Sequence, residues 1–168
     1  MNTRLTRRIC ISALMAALIY VFTALLHVPS YTGYTHIGDG FLFLAASLLP
    51  APYAMAAGAI GAGLADILSG YTLWFPGTAV IKALTALCFT SKNEKLVCKR
   101  NLLGLLPALV LCAGGYYLYN ALVISRNFAA PLAEIPGNLV QWALSSVVYV
   151  LLGHVLDRAG LKKRLGEI

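Results

Sequence analysis

The chain has 168 residues, of which 60% are hydrophobic and only 11% are charged, and its mean hydropathy is +0.78. An average soluble domain carries roughly 45–50% apolar and about 25% charged residues, so this composition argues against a soluble globular domain and excludes a disordered chain. The net charge is +7. The basic residues lie in short segments between apolar runs, which is typical of membrane proteins and does not indicate a nucleic-acid partner.

The apolar segments predict a single all-α integral membrane domain over residues 1–168, a bundle of six transmembrane helices. The predicted spans are approximately 9–28, 37–50, 53–69, 73–90, 102–124 and 137–156. The first is too long for the apolar part of a typical signal peptide and lacks a convincing cleavage site, so we expect it to be retained. The second is short for a hydrocarbon core of about 30 Å.

An alternative interpretation treats 40–69 as one long helix and gives five spans. Pro50 and Pro52 argue against it, because each would remove a backbone donor and clash with the preceding turn. With six spans, the connection 91–101 lies on the same side of the membrane as both termini, and that side carries most of the basic residues. These are Arg4, Arg7, Arg8, Lys92, Lys95, Lys99, Arg100, Arg158, Lys162, Lys163 and Arg164. The asymmetry predicts that both the N- and C-termini are cytoplasmic.

Small residues predict close helix packing in two of the spans. Gly58 and Ala62 in the third span are four residues apart, a spacing that lets two helix backbones approach. Ala13 and Ala17 form a similar stripe on the first span, which could serve internal packing or contact with a partner helix.

Aromatic residues accumulate toward the external ends of the spans, whereas ordinary interfacial belts occupy both surfaces. They are Tyr31, Tyr34, Tyr71, Trp74, Phe75, Tyr116, Tyr117, Tyr119, Phe128 and Trp142. Polar residues within or near the spans cluster at the same end, and such residues usually face a cavity or a partner. Together they predict an aromatic-lined pocket that opens outward. The candidate ligand-binding residues are Tyr34, His36, Asp39, Asp66, Trp74, Lys82, Tyr116, Tyr119, Asn120, Asn138, Gln141 and Trp142.

Most of these residues also have a purely structural interpretation. Asp66 and Lys82 could form an ion pair inside the bundle. Asp39 and Asn138 could cap the helices that they begin. His36 could lie in an exposed loop, and Tyr116 and Tyr119 could belong to an interfacial belt.

Catalytic chemistry is not indicated. The sequence has no phosphate-binding GxxxxGK[ST] loop, no GxSxG elbow and no HExxH motif. Its four cysteines include no CxxC pair, so we expect neither a disulfide nor a metal site. The three histidines lie on different segments and form no credible base–nucleophile set. We therefore expect a binding protein without catalytic residues or a cofactor.

Three motifs occur in order along the chain. Thr32-Gly-Tyr-Thr-His-Ile-Gly-Asp39 leads into the second span, Gly61-Ala-Gly-Leu-Ala-Asp-Ile-Leu-Ser-Gly-Tyr71 ends the third, and Pro76-Gly-Thr-Ala-Val-Ile-Lys82 begins the fourth. This succession resembles the substrate-binding S components of energy-coupling factor (ECF) vitamin transporters, in the branch with riboflavin-, hydroxymethylpyrimidine- and pyridoxine-type members.

The resemblance implies a six-helix bundle in a prokaryotic plasma membrane, with a vitamin-like ligand near the external face and the first loop, 31–36, closing over it. It also implies a transmembrane coupling protein and two ABC ATPases as partners, with Ala13 and Ala17 matching the docking surface. Asn120 departs from the family, many of whose members have an acidic residue there.

The function expected from these observations is capture of a planar heterocycle such as a pyrimidine, a pyridine or a flavin. Two alternatives remain open at this point. One is an ion-coupled secondary transporter that uses Asp66 or Asp39, although the sequence shows no inverted repeat. The other is an integral membrane enzyme that uses Asp66, His36 and Lys82.

Overall fold

A computed structural model describes residues 3–29 and 34–165. Its helices are α1 (Thr3–Ala24), α2 (Asp39–Leu48), α3 (Ala51–Leu68), α4 (Phe75–Ala86), α5 (Lys99–Tyr119), α6 (Ile135–Arg158) and α7 (Leu161–Leu165). Two short strands, β1 (His27–Pro29) and β2 (Tyr34–His36), pair antiparallel between α1 and α2. Within the described residues, four helical segments are long and apolar enough to cross a membrane: Thr3–Ala24, Ala51–Leu68, Lys99–Ile124 and Ala130–Arg158. The protein is therefore an all-α membrane protein.

Helix α2 forms the centre of the bundle. All ten of its residues are buried, and it packs against α1, α3, α4 and α6. It ends where Leu49 adopts an extended conformation before Pro50, because the proline ring disfavours helical geometry in the preceding residue. Consequently the segment 40–69 is two helices rather than one.

Helices α1 and α3 approach closely because α3 is rich in small residues. A Cβ atom added to Gly61 would lie 2.5 Å from the carbonyl oxygen of Ala16 in α1. A Cβ atom added to Gly58 would lie 2.6 Å from the Leu42 side chain in α2. The small residues therefore serve packing inside the bundle, as the spacing predicts.

The end of α3 is a Schellman turn. The Tyr71 N–H donates to the Asp66 carbonyl at 2.8 Å, the Gly70 N–H donates to Ile67, and Gly70 has a φ of +86°. Glycine adopts this left-handed conformation without a Cβ penalty. The turn folds Tyr71 back over the end of the helix and leads through the 3-10 turn Thr72–Trp74 into α4.

The basic segments meet at one end of the bundle. Lys162 donates hydrogen bonds to the carbonyl oxygens of Ser91 and Asn93, at 3.0 and 2.7 Å, and Arg7 donates to the Leu165 carbonyl. We call this the basic end. The β1–β2 hairpin, the 3-10 turn Thr72–Trp74 and the segment Ala130–Glu134 lie at the opposite end, which we call the hairpin end.

Candidate ligand-binding site

A cavity lies at the hairpin end and encloses about 450 Å³, counting the part that is open to solvent. Its described lining residues are Tyr34, Thr35, His36, Asp66, Trp74, Thr78, Tyr116, Glu134 and Asn138. They come from the hairpin, α3, the turn before α4, α4, α5 and the segment that leads into α6. A site assembled from so many elements has its geometry set by the packing of the whole bundle.

The hairpin is held over the cavity by Tyr34. Its hydroxyl donates to Asp66 Oδ1 at 2.6 Å, and its ring contacts the rings of His27 and Tyr71, each at a centroid distance of 4.8 Å. Burial, and to a smaller extent the negative charge of Asp66, raises the pKa of Tyr34 well above its usual value. The phenol is thus the donor in this bond and connects the hairpin to the end of α3.

Asp66 is buried at the cavity wall, with 5% of its surface exposed. Its Oδ1 accepts the Tyr34 bond, whereas its Oδ2 is buried and accepts no hydrogen bond of ordinary geometry from the described residues. Thr78 lies near this carboxylate, and its hydroxyl oxygen accepts a hydrogen bond from Tyr116 at 3.3 Å. Asp66 is therefore a cavity-lining carboxylate, one oxygen of which is bonded to the hairpin.

His36 is buried, 6% exposed, and does not lie in an exposed loop. Its Nδ1 accepts the Gly38 N–H at 3.1 Å, which leaves the ring proton on Nε2. Burial lowers the pKa of His36 to about 3, although the negative charge of Asp39 acts in the opposite direction. The imidazole is therefore neutral at physiological pH, with Nε2–H as a hydrogen-bond donor.

A buried polar network lies beneath the cavity. The Lys82 Nζ is 2.7 and 2.8 Å from the two Asp39 carboxylate oxygens, and the Gln141 amide donates to Asp39 Oδ2 at 2.9 Å. Lys82 also lies 5.0 Å from the centroid of the Tyr116 ring. The ion pair thus joins Lys82 to Asp39 and not to Asp66, and Asp39 makes no capping hydrogen bond at the start of α2.

Glu134 is a cavity residue that the sequence analysis missed. It ends the 3-10 segment Ala130–Glu134, is 8% exposed, and accepts a hydrogen bond from the Asn120 amide at 3.1 Å. Asn120 begins a π-helical turn, Asn120–Ile124, at the end of α5. A carboxylate from a neighbouring segment therefore lies beside Asn120 at the cavity wall. Little in the sequence could have shown this, because an acidic residue in a loop is usually solvated.

The structure divides the other candidate residues into two groups. Trp74, Tyr116 and Asn138 line the cavity, and no side-chain cap is formed at the start of α6. Tyr119 and Trp142 lie outside the lining: the Tyr119 hydroxyl donates to the Leu73 carbonyl at 2.7 Å, and the Trp142 indole donates to the Leu105 carbonyl at 2.8 Å. Tyr31, part of the expected gate, is outside the described residues.

A separate apolar groove runs between α1 and α3 and encloses about 1060 Å³, again counting the part that is open to solvent. Its lining includes Ala13 and Ala17, which are exposed, together with Ala56, Ile60 and Leu64. The groove lies on the outer surface of the bundle, where the sequence predicts a docking stripe.

The fold and the cavity define the class of protein: an all-α membrane protein with a small-molecule cavity at one end of its helix bundle. A sequence profile described as "ECF-type riboflavin transporter, S component" matches residues 4–158, and the chain belongs to this family. It is also similar to an "Uncharacterized protein in gap 3'region" of Pyrococcus woesei, with 27% identity over 147 residues that cover 84% of this chain and 90% of the relative. Membership of a transporter-component family points away from enzymatic activity.

Proposed function

We propose that this protein is the substrate-binding subunit of an ECF-type ABC importer and captures a small, planar vitamin-like heterocycle at the external face. The observation that carries the proposal is the cavity at the hairpin end. Trp74 and Tyr116 offer it aromatic faces, and Asp66, His36, Glu134 and Asn138 offer it polar groups. Aromatic walls with a few placed polar groups are typical of small-molecule sites.

The proposed topology has six spans, with the basic end in the cytoplasm and the hairpin end outside. The contacts that join the start of α1, the connection after α4 and the C-terminal region support it, because they gather the basic residues at one end. Helices α2 and α4 have ten and twelve residues. At 1.5 Å per residue they are shorter than a hydrocarbon core of about 30 Å, so they cross it together with their flanking turns.

The hairpin acts as a gate. The cavity is narrow, and its interior volume of about 40 Å³ holds only a few water molecules at roughly 10–15 Å³ each. A vitamin-sized ligand therefore needs the hairpin to move, and the Tyr34–Asp66 hydrogen bond must break as it opens. The expected gate, 31–36, includes the described residues Tyr34 and His36.

Transport itself requires partners. In this proposal the groove lined by Ala13 and Ala17 docks on the transmembrane coupling protein, and two cytoplasmic ABC ATPases supply the energy. The exposed apolar lining of the groove supports a helical protein partner in the membrane. Capture is then the task of this chain, and release follows docking.

The test is a thermal-shift screen of the purified protein in detergent against water-soluble vitamins and their precursors. A ligand that binds only the folded state at a hundredfold excess over its Kd adds about 2.7 kcal/mol of stability. We expect at least one planar heterocycle to raise the melting temperature. Folded protein that responds to no compound in the panel would contradict the proposal.

A further inference from the structure

A second cavity lies at the basic end, between the connection that joins α4 to α5 and the elbow that joins α6 to α7. We infer that this cavity binds the phosphate headgroup of an anionic membrane lipid, whose acyl chains lie along the exposed face of α6. The inference goes beyond the proposed function, because it concerns the end of the bundle opposite to the substrate cavity and holds for any substrate.

The lining of this cavity is basic. The cavity encloses about 600 Å³, counting the part that is open to solvent. Four cationic side chains line it, those of Lys95, Arg158, Lys162 and Lys163, against the two carboxylates of Glu94 and Asp157. An anion is the ligand whose charge complements such a lining.

The cavity is built into the fold, because side-chain contacts join its two walls. Asp157 Oδ1 accepts the Leu96 N–H at 2.7 Å, and Asp157 Oδ2 accepts the Val97 N–H at 3.0 Å. Gly160, with a φ of +68°, forms the elbow that turns the chain from α6 into α7. Beyond the elbow, the Lys162 ammonium donates to two carbonyl oxygens of the same connection. Both Asp157 oxygens and the Lys162 ammonium are therefore engaged with backbone groups.

Three cations of the lining are left to bind a ligand. The side chains of Lys95, Arg158 and Lys163 are exposed, and none of them donates a hydrogen bond or forms an ion pair within the part of the chain that the structure describes. Glu94 offsets only one of these three charges. A phosphate group accepts hydrogen bonds from several such donors at once, and an arginine can donate two of them in parallel.

The exposed face of α6 favours a lipid over a soluble phosphate. Val147, Leu151 and Val155 follow one another at intervals of four residues, with exposed fractions of 54%, 62% and 62%. Arg158 comes three residues after Val155, so it lies on the same helix face, where that face reaches the cavity. An acyl chain can therefore lie on this apolar face while the headgroup phosphate contacts Arg158. In the proposed topology this end meets the cytoplasmic leaflet, whose anionic lipids attract basic clusters.

The experiment titrates lipids into the purified full-length protein in an uncharged detergent and measures bound lipid by native mass spectrometry. The probes are palmitoyl-oleoyl phosphatidylglycerol and the zwitterionic phosphatidylcholine with the same acyl chains, so that only the headgroup differs. We expect phosphatidylglycerol to bind at least tenfold more tightly. Glycerol 3-phosphate carries the phosphate without acyl chains, and we expect it to displace phosphatidylglycerol only at a large excess.

Variants assign the preference to the cavity. Arg158→Gln with Lys163→Gln is expected to weaken phosphatidylglycerol at least tenfold and to change phosphatidylcholine by less than twofold. Lys95→Gln is a milder second variant on the other wall, with an expected loss of at least threefold. The matched control is Lys92→Gln with Lys99→Gln, which removes two charges from exposed positions of the basic end that do not line this cavity. It should change neither lipid. Melting without added lipid establishes that each variant is folded.

Three results would overturn the inference. Equal affinity for the two lipids, or equal losses in the cavity variant and the control, would show that the cavity does not select a headgroup. Displacement of phosphatidylglycerol by an equal concentration of glycerol 3-phosphate would assign the cavity to a soluble phosphate. Normal lipid binding by a double cavity variant that no longer co-purifies with the ATPases would assign it to an acidic protein surface. None of these results affects the proposed substrate capture, which the thermal-shift screen tests separately.

Discussion

At the scale of single residues, the Lys82–Asp39 pair is the clearest determinant of the packing beneath the cavity. Both side chains are almost fully buried, with exposed fractions of 1% and 4%. Removing one member of a buried pair leaves an uncompensated charge and typically costs about 3–5 kcal/mol. We expect Lys82→Met to lower the melting temperature strongly, and Asp39→Asn combined with Lys82→Met to recover part of the loss. A single variant that melts like the wild type would show that the pair is not formed.

His36 makes stability depend on pH. Its pKa is about 3 in the folded protein and 6.5 in the unfolded chain. The unfolded state therefore binds more protons between these values, so this contribution to stability is complete above pH 6.5 and is lost as the pH falls toward 3. We expect the melting temperature to decrease from pH 7 to pH 5.

The matched variant is His36→Asn, whose side-chain oxygen can still accept the Gly38 N–H but does not titrate. It should show a shallower decrease than the wild type. His154→Asn, at an exposed position of α6, should retain the full slope. Equal slopes in the wild type and His36→Asn would assign the effect to another group.

Residue types alone predict part of the site. The aromatic excess and the polar cluster lead to Tyr34, His36, Asp66, Trp74, Tyr116 and Asn138, all of which line the cavity. The partner of Lys82 could not be predicted, because it depends on how α2, α3 and α4 are rotated against one another. The spacing of Asn138 and Trp142 predicts that both lie on one face of α6. Only Asn138 lines the cavity, because Trp142 lies one turn further along the helix and its indole contacts α5.

At the scale of helices, glycine positions determine how closely the elements pack. Gly61→Ala would place a Cβ atom 2.5 Å from the Ala16 carbonyl of α1, so α1 and α3 must separate. Overpacking of this kind costs about 1–3 kcal/mol, and we expect a lower melting temperature. Gly114→Ala in α5 is the control, because no described atom lies within 4 Å of its added Cβ. That change should be neutral or stabilising by up to about 1 kcal/mol.

The docking role proposed for the α1–α3 groove gives a prediction that separates binding from transport. Ala13→Trp with Ala17→Trp would fill the α1–α3 groove without reaching the cavity at the hairpin end. We expect ligand binding to be unchanged, and both co-purification with the coupling protein and uptake to be lost. Ala143→Trp, an exposed position on α6, is the matched control. Normal uptake by the double variant would place the docking surface elsewhere.

Hydropathy and proline positions predict most of the helices, but not the bounds of α1 and the end of α4. The first span was expected over 9–28, whereas α1 runs over Thr3–Ala24 and His27–Pro29 form a strand. The break before Pro50 follows from local stereochemistry, and α3 and α6 occur within two residues of their predicted bounds. The fourth span was expected over 73–90, whereas α4 runs over Phe75–Ala86. Its end is set by tertiary contacts: the Asn101 side chain of α5 bonds the backbone N–H and carbonyl of Thr90. No apolar pattern encodes such contacts.

At the scale of the whole molecule, the two ends of the bundle differ in character. This difference fits the substrate-capturing role proposed above. The cavity lies at one end, the basic residues lie at the other, and the small-residue groove runs along the side. Composition and charge predict this division, because hydropathy and the positive-inside rule act on whole segments. The position of Glu134 in the wall depends on the packing of a loop and could not be predicted in the same way.

We propose that this chain captures a substrate but does not transport it alone. The most direct test measures accumulation of a radiolabelled ligand, identified by the thermal-shift screen, in proteoliposomes that contain this protein with or without the coupling protein, the two ATPases and ATP. We expect binding in both preparations and accumulation only in the complete one. Accumulation by this protein alone, driven by an imposed proton gradient, would contradict the account and indicate an ion-coupled transporter.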